Sequence, residues 1–340
     1  MAASWRALNA LPGIDVFVVA FQARTETAFS DRLMADIPSH LLNLEERKNF
    51  STIQSIIQQE QPDVIVLSGW LHPPYRKLAF SPAFKYCAFM MGMDTPWQGT
   101  WKQHLASWVL FPYLRRMNWV VVTGERSWQY AIKLGVSPNK IARGLYGIDY
   151  QTWASLLEAR LQSAWPRSFL FAGRYIPAKG IDILVTAYRQ YREQVSEPWS
   201  LVCCGQGELT EQLQNQPGIE NRGFVQPDKM RSVWCQAGTF LLPSRFDPWP
   251  LALVEASAAG LPVICTDACG SAVEVIRSGY NGLIVPSENP ESLTRALLYL
   301  HEHYEMLPTW GKRAQQLAAP YAANIWADSW FDLISSLVKA

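Results

Sequence analysis

Phe240-Leu-Leu-Pro-Ser-Arg-Phe-Asp247-Pro-Trp-Pro-Leu-Ala-Leu-Val-Glu255-Ala-Ser-Ala-Ala-Gly260-Leu-Pro-Val263-Ile264 decides the fold, because a strand, a loop, a helix and another strand follow one another within it. The opening apolar run reads as a buried strand, and Pro-Ser opens a loop. Leu, Ala and Val then continue as an apolar helix, and a second apolar strand begins at Pro262. Asp247 falls in the loop and Glu255 inside the helix. Burying a carboxylate unpaired is costly, so Glu255 calls for a partner, either within the protein or among the hydroxyls of a ligand.

Upstream, Ser168-Phe-Leu-Phe-Ala172 reads as another buried strand, and Gly173 lets the chain turn sharply at its end, with Arg174 at the mouth. In Tyr175-Ile-Pro-Ala-Lys179-Gly-Ile-Asp-Ile-Leu-Val-Thr-Ala-Tyr188, a proline precedes a helix whose apolar positions Ile183, Leu184, Ala187 and Tyr188 recur at helical spacing. An anion resting there meets a guanidinium fork, an ammonium and a helix N-terminus. Taken singly, Arg174 and Lys179 read as ordinary solvated charges. The acidic pair downstream is what turns them into candidates for holding a sugar nucleotide.

Strand and helix signals alternate through both halves, which argues for two doubly wound parallel sheets. Strands are expected near Asp15–Ala20, Asp63–Leu67, Tyr86–Met91, Trp119–Val122 and Lys140–Arg143, with helices at Phe50–Gln58, Trp101–Arg116 and Arg126–Leu134. The second half places strands near Ser168–Ala172, Ser200–Cys204, Ile219–Arg222, Thr239–Leu242, Pro262–Cys265 and Leu283–Val285, after a short linker at Tyr150–Trp165. The 340 residues, 49% of them hydrophobic, can bury two cores. The expected domains are 1–150, 151–320 and a C-terminal helix, 321–340.

Lys and Arg number 30 against 29 Asp and Glu, a balance that gives no electrostatic reason for a nucleic-acid partner. Cys87, Cys203, Cys204, Cys235, Cys265 and Cys269 form no Cys-x-x-Cys pair and read as reduced and buried, in a cytoplasmic compartment. No long apolar window predicts a membrane span, and the first residues carry no secretory signal. Gly205-Gln-Gly207-Glu208 lacks the third glycine of a dinucleotide fingerprint, and the run from Gly173 to Lys179 is not a phosphate loop.

The segment resembles the donor half of retaining glycosyltransferases of family 4, enzymes of the GT-B fold. Their pattern of an acid, seven residues and a glutamate, preceded by Pro-Ser and followed by Ala, is here Asp247 to Glu255. Gly173-Arg174, Lys179-Gly180, Gly205-Gln-Gly207-Glu208, Gly223-Phe224, Gly270 and Asn281-Gly282 extend the likeness, and Gly144-Leu-Tyr-Gly147-Ile-Asp149 resembles the family's interdomain crossing. The resemblance implies an α/β chain with two Rossmann-like domains facing across a cleft. It also implies a nucleoside-diphosphate sugar donor carrying UDP, GDP or ADP, a saccharide or glycolipid acceptor, and a last helix crossing back to the first domain. Family members open with a strand and a glycine-rich loop, whereas this sequence opens on a helical Met1-Ala-Ala-Ser-Trp-Arg-Ala-Leu. Either the start was assigned too far downstream or the first strand is missing.

By position, the resemblance implies that Glu255 accepts hydrogen bonds from the ribose and Asp247 from the transferred sugar. It also implies that Gly173, Gly207 and Leu251 line the donor site and that Phe224 and Val225 flank the base, although both read equally well as core. No Asp-x-Asp occurs, so no metal site is expected, and Arg174 and Lys179 are the natural stabilisers of the departing diphosphate. Pro250 stands where the family has a glycine, and it has no N–H to offer the sugar.

On the acceptor side, Asp94 follows a strand end and is a candidate for contacting donor sugar or acceptor, or else a turn-forming or helix-capping aspartate before Pro96. His72 is a weaker candidate. Arg115 and Arg116 read either as a lipid-facing pair or as charges at a helix end. The tryptophans look scattered, which leaves peripheral membrane contact open at the inner face of a membrane. Two rival readings are a noncatalytic sugar-nucleotide-binding subunit and a UDP-sugar epimerase or hydrolase on the same fold.

Overall fold

The computed structural model describes residues 1–22, 34 and 36–338, which divide into one unit of residues 1–147 with 323–340 and a second of residues 148–322. In the first unit, β1 (Val18–Phe21) pairs in parallel with β2 (Ser39–Leu42). A separate parallel sheet runs β3 (Val64–Leu67), β4 (Ala88–Met93), β5 (Trp119–Val122) and β6 (Ile141–Arg143), neighbours in that order. The strand at Ser39–Leu42 escaped the sequence reading, being too short and too mixed to show alternation.

Period-two alternation fills both faces of this sheet. Phe89, Met91 and Met93 with Val120 and Val122 pack toward Ile53, Leu78, Tyr113 and Tyr130. Met90 and Val121 turn the other way, onto Leu8, Trp326 and Trp330. Helix Ala323–Val338 belongs to this layer and is fastened by two indole N–H groups, Trp326 to the Leu145 carbonyl at 3.0 Å and Trp330 to that of Gly144 at 2.9 Å.

The second unit is a six-stranded parallel sheet ordered β12-β11-β10-β7-β8-β9. Its strands are β7 (Ser168–Ala172), β8 (Ser200–Cys204), β9 (Ile219–Gly223), β10 (Thr239–Leu242), β11 (Val263–Thr266) and β12 (Gly282–Val285). Their continuous apolar runs reflect burial on both faces.

Residues 150–161, expected as a linker, form a helix. Asp149 caps it by accepting from the Thr152 N–H at 3.3 Å, and Leu156, Leu157 and Arg160 are buried. Arg160 donates to the carbonyls of Ala237 (3.0 Å), Ala259 (2.8 Å) and Trp234 (2.9 Å), placing a cation among carbonyls at two helix C-termini. Burial lowers its pKa to about 10. The helix expected at Trp101–Arg116 is two, Trp101–Val109 and Phe111–Arg115, because Pro112 cannot donate into a continuous ladder. All six cysteines are free, with Cys87 and Cys235 only half-buried.

Candidate active site

Reading across the larger sheet, the chain winds outward from β7 through β8 to β9 on one side and from β10 through β11 to β12 on the other. The order therefore reverses between β7 and β10, and in open α/β sheets such a switch point leaves a crevice at the carboxyl ends of the strands. Lys179 follows β7 and Asp247 follows β10, so they come from the two sides of that point.

Beyond β7, the chain makes a 3₁₀ turn at Pro177–Lys179 and enters helix Ile181–Gln194 through Gly180, whose φ is +67°. A Cβ on Gly180 would lie 2.1 Å from the Pro243 carbonyl oxygen, so only glycine lets the two loops approach. Gly205 is held the same way, with a Cβ position 1.9 Å from the Gly173 oxygen. Gly173 donates to the Cys204 carbonyl (3.0 Å) and Tyr175 to that of Gln206 (2.9 Å), which continues the β7–β8 pairing past the strand ends. Asp247 is anchored from the far side: its N–H donates to Ala268 (3.3 Å) and its carbonyl accepts from Gly270 (2.9 Å).

Lys179 Nζ donates to Asp247 Oδ2 in a tight ion pair whose side chains are 17% and 11% exposed. That degree of burial separates this pair from the surface ion pairs, which contribute little. Arg245, unremarked in the sequence, fixes the two loops that carry it. Its backbone N–H donates to Ala178 (2.8 Å), and its guanidinium donates to the Pro177 carbonyl (2.9 Å) and to both Asp182 oxygens (2.7 Å each). The Arg245 hydrogen bonds hold the Asp182 carboxyl below the usual carboxylate range. The clamp's one signal in the sequence is faint, an arginine two residues before Asp247.

The other expected residues are placed less tightly. Arg174 is exposed and its guanidinium has no partner among the described residues. Glu255 lies in helix Leu251–Ala258, half-buried, with no side-chain hydrogen bond among the described residues, and burial raises its pKa. Ser244 and Trp249, close on either side of Asp247, keep a buried hydroxyl and a buried indole N–H without hydrogen-bond partners among the described residues. Pro250 stands at the N-cap position of that helix, and its carbonyl accepts from the Ser271 hydroxyl at 3.0 Å. Leu251 and Val225 pack against the core, Phe224 is exposed rather than part of it, and Gly207 touches the Tyr175 backbone.

In the first unit, Asp94 is neither a helix cap nor a free carboxylate: Tyr146 donates to its Oδ2 at 3.0 Å. His72 packs edge-on against Phe21 and Tyr75 (5.0 and 4.3 Å), with Nδ1 buried and without a hydrogen-bond partner among the described residues, and burial lowers its pKa. Arg116 donates to the carbonyls of Ala79 (3.2 Å), Phe84 (3.4 Å) and Cys87 (3.2 Å), whereas Arg115 is exposed.

Two family models match this chain, "Glycosyl transferases group 1" over residues 160–317 and "Glycosyl transferase 4-like domain" over residues 1–144. The chain belongs to the group 1 glycosyltransferases. Among curated relatives, an exopolysaccharide phosphotransferase of Streptomyces coelicolor is 28% identical over 65% of this chain and 23% of its own length. The putative colanic acid biosynthesis glycosyltransferase WcaL of Escherichia coli is 28% identical over 48% of this chain and 43% of its own. The chain thus spans less than half the length of these curated relatives. Two solved structures share the fold: Anabaena Alr3699/HepE in complex with UDP, with TM-score 0.77, 17% identity and coverage of 98% and 96% of the two chains; and sucrose-phosphate synthase from Thermosynechococcus elongatus, with 0.76, 17%, 99% and 92%.

Proposed function

We propose that this chain transfers a hexosyl group from a nucleoside-diphosphate sugar to a hydroxyl of a saccharide or lipid-linked glycan, with retention and without a divalent metal. The reading is carried by the Lys179–Asp247 pair at the switch point of the second unit's sheet. Breaking the sugar–phosphate bond leaves negative charge on the departing diphosphate while the sugar approaches an oxocarbenium ion. Lys179 takes that charge, and Arg174 reaches the same phosphates from the loop mouth.

In the resting protein Asp247 compensates Lys179. On donor binding, Lys179 exchanges one anionic partner for another, and the Asp247 carboxylate becomes free to accept sugar hydroxyls. The exchange leaves neither charge stranded in a half-buried site. Glu255, which no protein donor satisfies among the described residues, accepts the ribose hydroxyls; Phe224 and Val225 flank the base, and Gly173, Gly207 and Leu251 line the site. Asp94, held by Tyr146, serves the acceptor side. The free cysteines suit the cytoplasm.

A thermal-shift screen with UDP-, GDP- and ADP-sugars, followed by product analysis with and without acceptors, tests the reading. UDP-glucose comes first, because the similarly folded Anabaena protein was crystallised with it. Stabilisation by one donor and transfer that persists in chelator are expected. Absence of any shift, epimerised product from donor alone, or chelator-abolished activity restored by Mn or Mg would each remove the proposal.

A further inference from the structure

Helix Trp101–Val109 in the first unit buries none of its residues, yet four of its nine are Trp, Leu, Trp and Val. Trp101, Leu105, Trp108 and Val109 are 68%, 52%, 83% and 70% exposed, and Phe111 at the start of the next helix is 51% exposed. Positions 101, 105, 108 and 109 recur at i, i+4, i+7 and i+8 and make one stripe of about 100° on a helix. These tryptophans, scattered in the sequence, are gathered by the helix on one side. Singly exposed apolar residues need no explanation, but a contiguous apolar face marks an interaction site.

Charge decides the partner. The segment Thr95–Gly124 contains no Asp or Glu. Lys102 lies 5.9 Å over the Trp101 ring and Arg115 5.6 Å over the Phe111 ring, and neither is in an ion pair among the described residues. Two-fold self-association through this stripe would bring these cations against their own copies, with no acid in the segment to neutralise them. A negatively charged surface with an apolar interior satisfies both features, since tryptophan favours the headgroup level and each Lys or Arg gains from anionic lipid. No helix among the described residues is long and apolar enough to cross a membrane, so the stripe lies on the surface.

We propose that the face formed by Trp101, Leu105, Trp108, Val109 and Phe111, rimmed by Lys102 and Arg115, docks on an anionic lipid bilayer. This deepens the acceptor half of the proposed function, because a lipid-linked acceptor is presented at such a surface. The test reads lipid binding rather than transfer, so either proposal can fail alone.

Flotation of the purified protein with phosphatidylcholine vesicles, with and without phosphatidylglycerol, is the experiment. The protein is expected to float with the anionic vesicles only, and less as salt is raised. Trp101→Ser with Trp108→Ser, and separately Lys102→Glu with Arg115→Glu, each lower partitioning by about tenfold or more. Both variants keep the wild-type melting temperature and sugar-nucleotide binding. Failure to float with anionic vesicles, equal flotation in both variants, or a concentration-dependent dimer that the tryptophan variant dissolves while vesicles bind nothing would each overturn the inference.

Discussion

After β7, β8 and β10 the loops are tied to one another through Gly180 against Pro243, Gly205 against Gly173 and the Arg245 clamp, whereas after β4 the chain runs from Asp94 into a helix that buries no residue. Both regions stand at carboxyl ends of parallel strands. The first holds charged side chains in fixed geometry, as a diphosphate of fixed shape demands. The second offers area and charge without fixed geometry, which suits a fluid surface. On the two proposals, loops tied side to side suit a ligand of fixed shape and a bare helix suits a fluid one.

The largest expected effect tests the rigid region. Lys179→Ala lowers kcat by about 10²–10³-fold in a transfer assay, as removal of a charge that stabilises the leaving group does. Wild-type turnover in this variant would show that the tied loops hold nothing reactive. Next comes the backbone: Gly180→Ala pushes a Cβ against the Pro243 carbonyl at a positive φ and drops Tm by about 5–10 °C in calorimetry. Trp108→Ser, in the open region, shifts Tm by less than about 2 °C. Equal shifts would erase the contrast.

Arg245→Gln is expected to reduce kcat by about tenfold with KM nearly unchanged, because Arg245 positions Lys179 and Asp247 without touching substrate. A change in KM alone would reassign it to binding. An effect of like size, on binding rather than turnover, belongs to Glu255→Gln. Burial raises the Glu255 pKa, so the folded protein binds its proton more tightly than the unfolded chain does, and stability falls as pH rises from the ordinary carboxylate range through the raised value. Removing that penalty raises Tm at neutral pH while weakening donor affinity by about tenfold. In the wild type, donor affinity falls as pH drops through the raised pKa; a pH-independent affinity would detach Glu255 from the ribose.

Much of the second unit was legible because its strands are apolar runs punctuated by Gly and Pro, and β7, β8 and β10 stand where those runs predict. The helix at 150–161 was not, since its inward positions include Arg160, whose polarity reads as solvent exposure until carbonyls from two other helices are brought to it. Arg245 was illegible for the same reason: its partners Pro177, Asp182 and Glu288 are distant in sequence. The apolar stripe on Trp101–Val109 goes unseen because the tryptophans look scattered over the whole sequence and the pattern predicts a helix running on to Arg116, whereas the structure ends it at Val109 with none of its residues buried.

By itself the sequence determined the α/β alternation, the family, and the candidate residues for holding a sugar nucleotide, because each is written in local periodicity and short spacing. Only the tertiary structure decided that Lys179 and Asp247 pair across the reversal of strand order, that Arg245 fastens their loops, and that one helix is left bare. Those facts depend on which strands become neighbours, and burial and pairing energies exist only once residues far apart in the chain are in contact.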